Sequence, residues 1–495
     1  MFPAAVSTVM NGKWNLVLLL VLGAVLLAPA ALSPEGNVAF GATNPQPVPV
    51  ATFYDPDGVV GDNFGANVAL SADGSEALIG ASGSSESGIA DVGKAYIYTR
   101  TNGTWQTIPT VTFIDPSLQS NDSFGGAFAL SADGTTALFT TCSGVVYVYS
   151  RINEIWQTAS VATLHDPGSG NAGCSGDAFG SVLALSADGN TALVNAPVAS
   201  VNGVAQAGIV YVFTRNNGVW SPTPAAVFTD PGVVQWDMFG SSIALSADGT
   251  VALIGTNHVS GSDRVFVFTQ TAGSWNTTPS AQINIPPDGG LGAFVSLSSN
   301  ADTALIGLPT MNRGAGAVYV YTATNGTWSA TPAAIFSDPP GEDVFGIGSV
   351  LSGNGSVAIV DPGNAYIFVR EGGSWSPQAV TVIMPQPPTA NFCGQYGIND
   401  VALSQAGNEL LAGATEDPSA QVNPPPCSPG QVDGAVGRAY IYETSTNWIN
   451  PTPPGSPPGN SGGSGGGSFG WLMVIWFSGL VLRRRLVGPT ARTRN

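Results

Sequence analysis

Chemistry in this 495-residue chain would rest on carboxylates, since it holds 32 acidic residues and only two histidines. Aspartates recur in pairs, at Asp55/Asp62 with Asp57 between them, then Asp115/Asp122, Asp166/Asp177, Asp230/Asp237 and Asp338/Asp343. A carboxylate pair can do general acid–base work when its surroundings separate the two pKa values. Repetition along the chain argues instead for turn capping, because an Asp side chain bonds the backbone two residues on. His165 sits beside an Asp-Pro turn and His258 in a loop, neither within a motif that would orient it. No Gly-x-Ser-x-Gly elbow, phosphate loop or His-Glu-x-x-His helix is present, so no catalytic residue and no cofactor are expected. Four cysteines lack the C-x-x-C spacing of a metal or redox site and read as two disulfides in an oxidising compartment.

The elements that must carry these residues are repeats. Between residues 46 and 450 one pattern recurs: a strand ending in Asp-Pro, a variable loop, Phe-Gly, a strand with a Ser-Ala-Asp-Gly turn, a short apolar strand, an aromatic strand and a Trp. Phe-Gly stands at Phe64, Phe124, Phe179, Phe239 and Phe345, with Leu291-Gly292 and Tyr396-Gly397 as variants. The turn is intact after Ser71, Ser131, Ser186 and Ser246 and altered after Ser299, Ser352 and Ser404, and each aromatic strand is followed by a Trp, from Trp105 to Trp448. Charged residues make up 9% of the chain while glycine (64) and proline (37) abound, a composition suited to short strands and tight turns. Seven four-stranded units predict an all-β, seven-bladed β-propeller, antiparallel within each blade and closed on itself. The chain opens with a lone outer strand, Val48 to Tyr54, and stops soon after Trp448. The N-terminal strand is therefore expected to complete blade seven.

Strand direction alternates within a blade, so loops between blades and loops joining second to third strands emerge on one face. That places Cys142 beside Cys174 and Cys393 beside Cys427, and those two pairings are chosen from the three that four cysteines allow. The same face collects the variable segments Ser82–Gly93, Ala196–Gly208 and Glu416–Gly437. Ligand contact is expected there, where a rigid scaffold displays variable loops.

These repeats resemble the FG-GAP repeat of integrin α-subunit propellers and of many exported bacterial proteins. The resemblance covers about 400 residues and implies fold more than function. Calcium-binding members carry a D-x-D-x-D-G loop. Asp55, Asp57 and Asp62 come nearest to it and are the weak Ca²⁺ candidate, although the ligand set is incomplete.

Two terminal segments give the address. Residues 1–30, with Lys13, an apolar run and Ala28-Pro29-Ala30, read as a signal peptide, the alternative being an uncleaved anchor. Residues 451–468 form a Pro/Gly/Ser-rich linker, and residues 469–495 an apolar stretch with an arginine cluster. Gly465, Gly466 and Gly467 with Arg483, Arg484 and Arg485 resemble the GlyGly-CTERM sorting signal of Gram-negative bacteria. That resemblance implies a rhomboid-like sorting protease as partner, with delivery to the outer surface or medium. Ten residues follow Arg485, so processing of the tail and its retention as a transmembrane tether both stay open. Without Lys13 and the five C-terminal arginines, 8 bases face 32 acids, and so acidic a surface repels nucleic acid and anionic lipid. Partners are therefore expected among proteins or glycans at the cell surface. A binding or adhesion scaffold is the leading reading, ahead of an enzyme acting on an extracellular polymer and of a purely structural matrix protein.

Overall fold

The structure, a computed structural model, describes residues 47–443 apart from 60, 169–172, 175, 259–262, 284, 286–292, 338–344, 361–362, 384–397 and 416–436. All of these lie in the compact unit that begins at Pro47. It is an all-β propeller of seven antiparallel blades. Its single described helix is the one-turn 3-10 segment Met311–Gly314.

Blade one shows the plan, with strands Phe64–Leu70, Glu76–Ala81, Lys94–Thr101 and a fourth in two pieces. The expected single outer strand is broken: Thr104–Trp105 and Val111–Ile114 both pair with the third strand. The same break recurs in blade two, at Ile155–Trp156 and Ala162–His165, where no proline intervenes. Blade seven takes its fourth strand from the N-terminus, Ala51–Tyr54 lying antiparallel to Arg438–Glu443 with Ala51 opposite Ile441 and Tyr54 opposite Arg438. The strand is shorter than the sequence implied, although Val50 still donates to the Ile441 carbonyl at 2.7 Å.

Blades adhere through aromatic side chains. A Phe from one outer strand lies against the aromatic third strand and the Trp of the next blade. Phe53 is 4.4 Å from Tyr98 and 5.5 Å from Trp105. Phe228 meets Phe268 and Trp275 at 4.2 and 5.5 Å, and Phe336 meets Phe368 and Trp375 at 3.9 and 5.5 Å. Such pairs contribute about 0.5–1.5 kcal/mol each beyond their buried area. Gly in Phe-Gly permits the approach. Gly65 has φ +84°, and a Cβ there would sit 2.5 Å from the Arg438 carbonyl oxygen.

The turns between first and second strands form a closed ring. Ala72 donates to Ala132, Asp133 to Ala187, Ala187 to Ala247, Ala247 to Ser299, Ser299 to Gly353, Asn354 to Gln405, and Gln405 back to Ala72, at 2.8–3.3 Å. Within each turn a buried serine holds the chain. Ser71 Oγ accepts the N–H groups of Ser75 and Glu76 at 3.1 and 2.9 Å and donates to Asp73 at 2.8 Å. The altered turns keep that contact, Ser298 (one place before the Ser299 read from the sequence) accepting from Thr303, Ser352 from Val357 and Ser404 from Glu409 at 2.9–3.0 Å. Serine, rather than the Asp-Gly that drew attention in the sequence, is the constant of the motif.

Candidate functional site

Opposite the turn ring lies the face built from inter-blade loops and from loops joining second to third strands. These loops interlock through the backbone. Asn121, Ser123 and Phe124 donate to the carbonyls of Ala90, Asp91 and Val92, and Trp236, Met238 and Phe239 donate to those of Ala205, Gln206 and Ala207. The cysteines contribute as well, for Cys142 and Cys174 are joined by a disulfide with Cα atoms 4.7 Å apart. Cys393 and Cys427 lie outside the described residues, as do Asp338, Asp343, Trp448, the signal peptide, Gly465 to Gly467 and Arg483 to Arg485.

The paired aspartates are buried beneath this face and hold the loops from within. Asp55 accepts N–H groups from Asp57 and Val59 at 3.0 and 2.9 Å, and Asp62 accepts from Phe64 at 3.2 Å. Asp115 and Asp122 both lie within reach of Ser117 Oγ, at 2.6 and 3.2 Å, and Asp122 also takes the Ser143 N–H. Burial, reinforced by the neighbouring carboxyl, pushes Asp62 up to about 8, Asp177 to about 6 and Asp237 to about 7, and it raises Asp122. Only the blade-four pair binds an arginine among the described residues: Arg264 reaches Asp230 at 2.6 Å and Asp237 at 2.8 Å. Most of these groups act as turn caps, accepting backbone N–H or hydroxyl donors within their own loops.

The three aspartates of the calcium candidate have protein partners. Asp57 turns to Lys94 at 2.7 Å and toward the Tyr96 hydroxyl at 3.3 Å, and Lys94 also binds Glu86. Asp55 and Asp62 point their oxygens at backbone N–H groups and at Ser84. Among the described residues no group of three or more His, Cys, Asp or Glu side chains is placed to hold a metal ion. His165 closes the outer strand Ala162–His165 with its side chain exposed. His258 donates its backbone N–H to Asp263 at 2.7 Å.

Sequence reading missed the left-handed residues of this face. Gly58, Gly61 and Asn63 in one inter-blade loop correspond to Leu118, Asn121 and Ser123 in the next and to Val233, Trp236 and Met238 two blades on, all with φ between 42° and 88°. The signal was there: each loop sets its two aspartates seven apart and ends in Phe.

Comparison with known proteins bears on the fold. The chain is similar to the β-propeller domain of Cps50 (Swd1) from Myceliophteria thermophila, at 10% identity and a TM-score of 0.50, over 80% of this chain and 100% of that one. It is also similar to a chain of a mitotic checkpoint complex, at 11% identity and a TM-score of 0.50, over 88% and 99%. Identities this low speak for architecture alone. No curated protein matches the sequence. Among the described residues no helix is long and apolar enough to cross a membrane. Residues 48–98 match the FG-GAP repeat family, within a chain that folds as a seven-bladed β-propeller.

Proposed function

We propose that this propeller is an exported binding scaffold, without catalytic activity or resident cofactor, that engages a protein or glycan at the cell surface through its loop face. One observation carries the reading: a constant turn ring on one face supports loops of widely different length on the other, the division of labour of a recognition scaffold. Export and surface display are supported by the terminal segments and adhesion by the resemblance to integrin propellers. A sorting protease acting near Gly465 to Gly467 fits the tail.

The test is a binding titration of the full-length protein against purified envelope polysaccharides and surface proteins. Saturable binding that loop-face substitutions abolish, and that Asp133→Asn on the turn ring leaves intact, is the expected result. Turnover of a polymer that disappears in His165→Ala, His258→Ala or a loop-carboxylate variant would replace the scaffold with an enzyme. Intact mass before and after reduction checks the address, with loss of the first 30 residues and of the arginine tail expected.

A further inference from the structure

We infer that the seam between blade seven and blade one is a proton-operated clasp built on Asp400. Chain connectivity singles this seam out. At every other seam the outer strand of one blade runs on through a loop into the inner strand of the next, so the chain itself joins the two blades. Here the strand that runs on into blade one is Ala51–Tyr54, which is held to blade seven by pairing with Arg438–Glu443. The strands Asp400–Leu403, Glu409–Ala414 and Arg438–Glu443 therefore meet blade one through non-covalent contacts among the described residues. Opening the ring at this place leaves every other blade intact.

The tie between inner strands also differs from its counterparts. Where blade one meets blade two, the Asn67 side-chain amide donates to the Gly126 carbonyl, and between blades three and four Asn195 donates to Gly240 at 2.8 Å. At the next two seams Ser242 accepts the Val295 N–H at 2.9 Å and Ser296 the Leu351 N–H at 3.1 Å. Amides and hydroxyls such as these stay neutral across the working pH range. Between blades seven and one the tie is a carboxyl: Asp400 accepts the Val68 N–H on Oδ2 at 2.8 Å and its neighbour's, Val401, on Oδ1 at 2.9 Å.

The surroundings of Asp400 oppose its ionisation. Phe64–Leu70, Ser349–Leu351 and Glu409–Ala414 pack against its strand. The first two carry no titratable side chain. The third carries Glu409 at its turn end, where Arg100 of blade one binds it and also binds Glu443 at 2.7 Å. On the loop side Asp55 and Asp62 cap their own backbone, Asp57 is bound by Lys94, and Arg438 lies over the Tyr54 ring. None of these cations is bound to Asp400, and burial holds its carboxyl well above the ordinary carboxylate range. The residue is still partly open to solvent, so its proton can exchange in the closed ring. In the open seam water solvates the carboxylate and the proton leaves at the ordinary value of about 4. Closure is therefore fully favoured below about pH 4 and weakens as pH rises, by up to about tenfold per unit, until Asp400 ionises in the closed ring as well.

Amide hydrogen exchange of the full-length protein between pH 5 and 9, corrected for intrinsic rates, tests the clasp. Protection of Ala51–Tyr54 and Phe64–Leu70 should fall with pH more steeply than that of Ser242–Leu245 and Phe294–Leu297, the strands that Ser242 ties. Asp400→Asn, which keeps an acceptor and cannot ionise, should remove the excess. Ser242→Asp should create the same excess between blades four and five, and this second variant decides the matter if Asp400→Asn does not fold. Equal pH dependence at the two seams of the parent overturns the clasp, as does a folded Ser242→Asp protein without the excess. It is also overturned if the excess persists in Asp400→Asn and disappears in Glu409→Gln, which would place the switch on the ion pair with Arg100.

Discussion

The two faces of this propeller are built from opposite kinds of contact. On the turn face, seven short loops repeat one serine-centred geometry and join in a closed circuit of main-chain hydrogen bonds. On the loop face, the connections differ in length, cross between blades, and depend on buried carboxylates and one described disulfide. Once the serine is kept, the first face tolerates change at its other turn positions, which is why its Asp-Gly could decay in the last three blades without loss of the ring. Irregularity gives the second face freedom to vary, at the cost of burying acids whose ionisation opposes folding.

The largest expected effect is on pH dependence, because several buried carboxyls act together. Burial raises Asp62 to about 8, Asp237 to about 7 and Asp177 to about 6 under the loop face. Beside the turn face, burial raises Glu76 and Glu409 to about 7 even though Arg151 and Arg100 bind them. All these folded-state values exceed the unfolded carboxylate value, so the unfolded chain releases its protons first as pH rises. The stability these five groups contribute is therefore fully present below about pH 4 and is lost progressively through about pH 8. Thermal melts across that range should show the decline. Asp62→Asn with Asp237→Asn should flatten it. A melting temperature that climbs toward alkaline pH would refute the assignment.

Removing an inter-blade aromatic comes next. Phe228→Ala should lower unfolding free energy by about 3–5 kcal/mol, since it leaves Phe268 and Trp275 facing a cavity. Phe53→Ala makes the same deletion on the closing strand Ala51–Tyr54. Equal losses in denaturant titrations mean that the closure is as firm as an interior blade. A much smaller loss for Phe53 would show that the terminal strand frays before the ring opens.

The disulfide separates the faces more directly. Replacing Cys142 and Cys174 by Ser releases a 32-residue crosslink and should cost about 2–4 kcal/mol. Amide exchange should quicken around residues 142–144 and 173–180 and stay unchanged at Ser131 and Ser186. Faster exchange in the turns as well would mean that the two faces are mechanically coupled.

Much of this was readable from the sequence, because repetition multiplies weak signals. Seven units, the N-terminal strand in blade seven and the pairing of Cys142 with Cys174 all follow from strand order. The fate of Asp57 was not readable: its partner Lys94 is 37 residues away and is one of few bases, so nothing local separates a cation ligand from an ion pair. Trp236 escaped for the opposite reason. It lies in a loop that looks variable, and only the shared backbone reveals that it occupies a position suited to Gly or Asn.

The smallest effects test what the turn motif uses. Ser131 Oγ accepts the N–H groups of Thr135 and Thr136 at 3.2 and 2.9 Å inside a buried turn, so Ser131→Ala strands buried donors. That should cost about 1–3 kcal/mol. Asp133 is exposed, and its bonds to Ser131 and to Thr135 compete with water. Asp133→Ala should therefore cost less, about 0.5–1 kcal/mol, and blade seven already carries that change, with Ala406 two residues after Ser404. Chemical denaturation of the two variants decides between them. If Asp133→Ala proves the more damaging, the ring depends on its acidic caps, and the last three blades must be held by something other than serine.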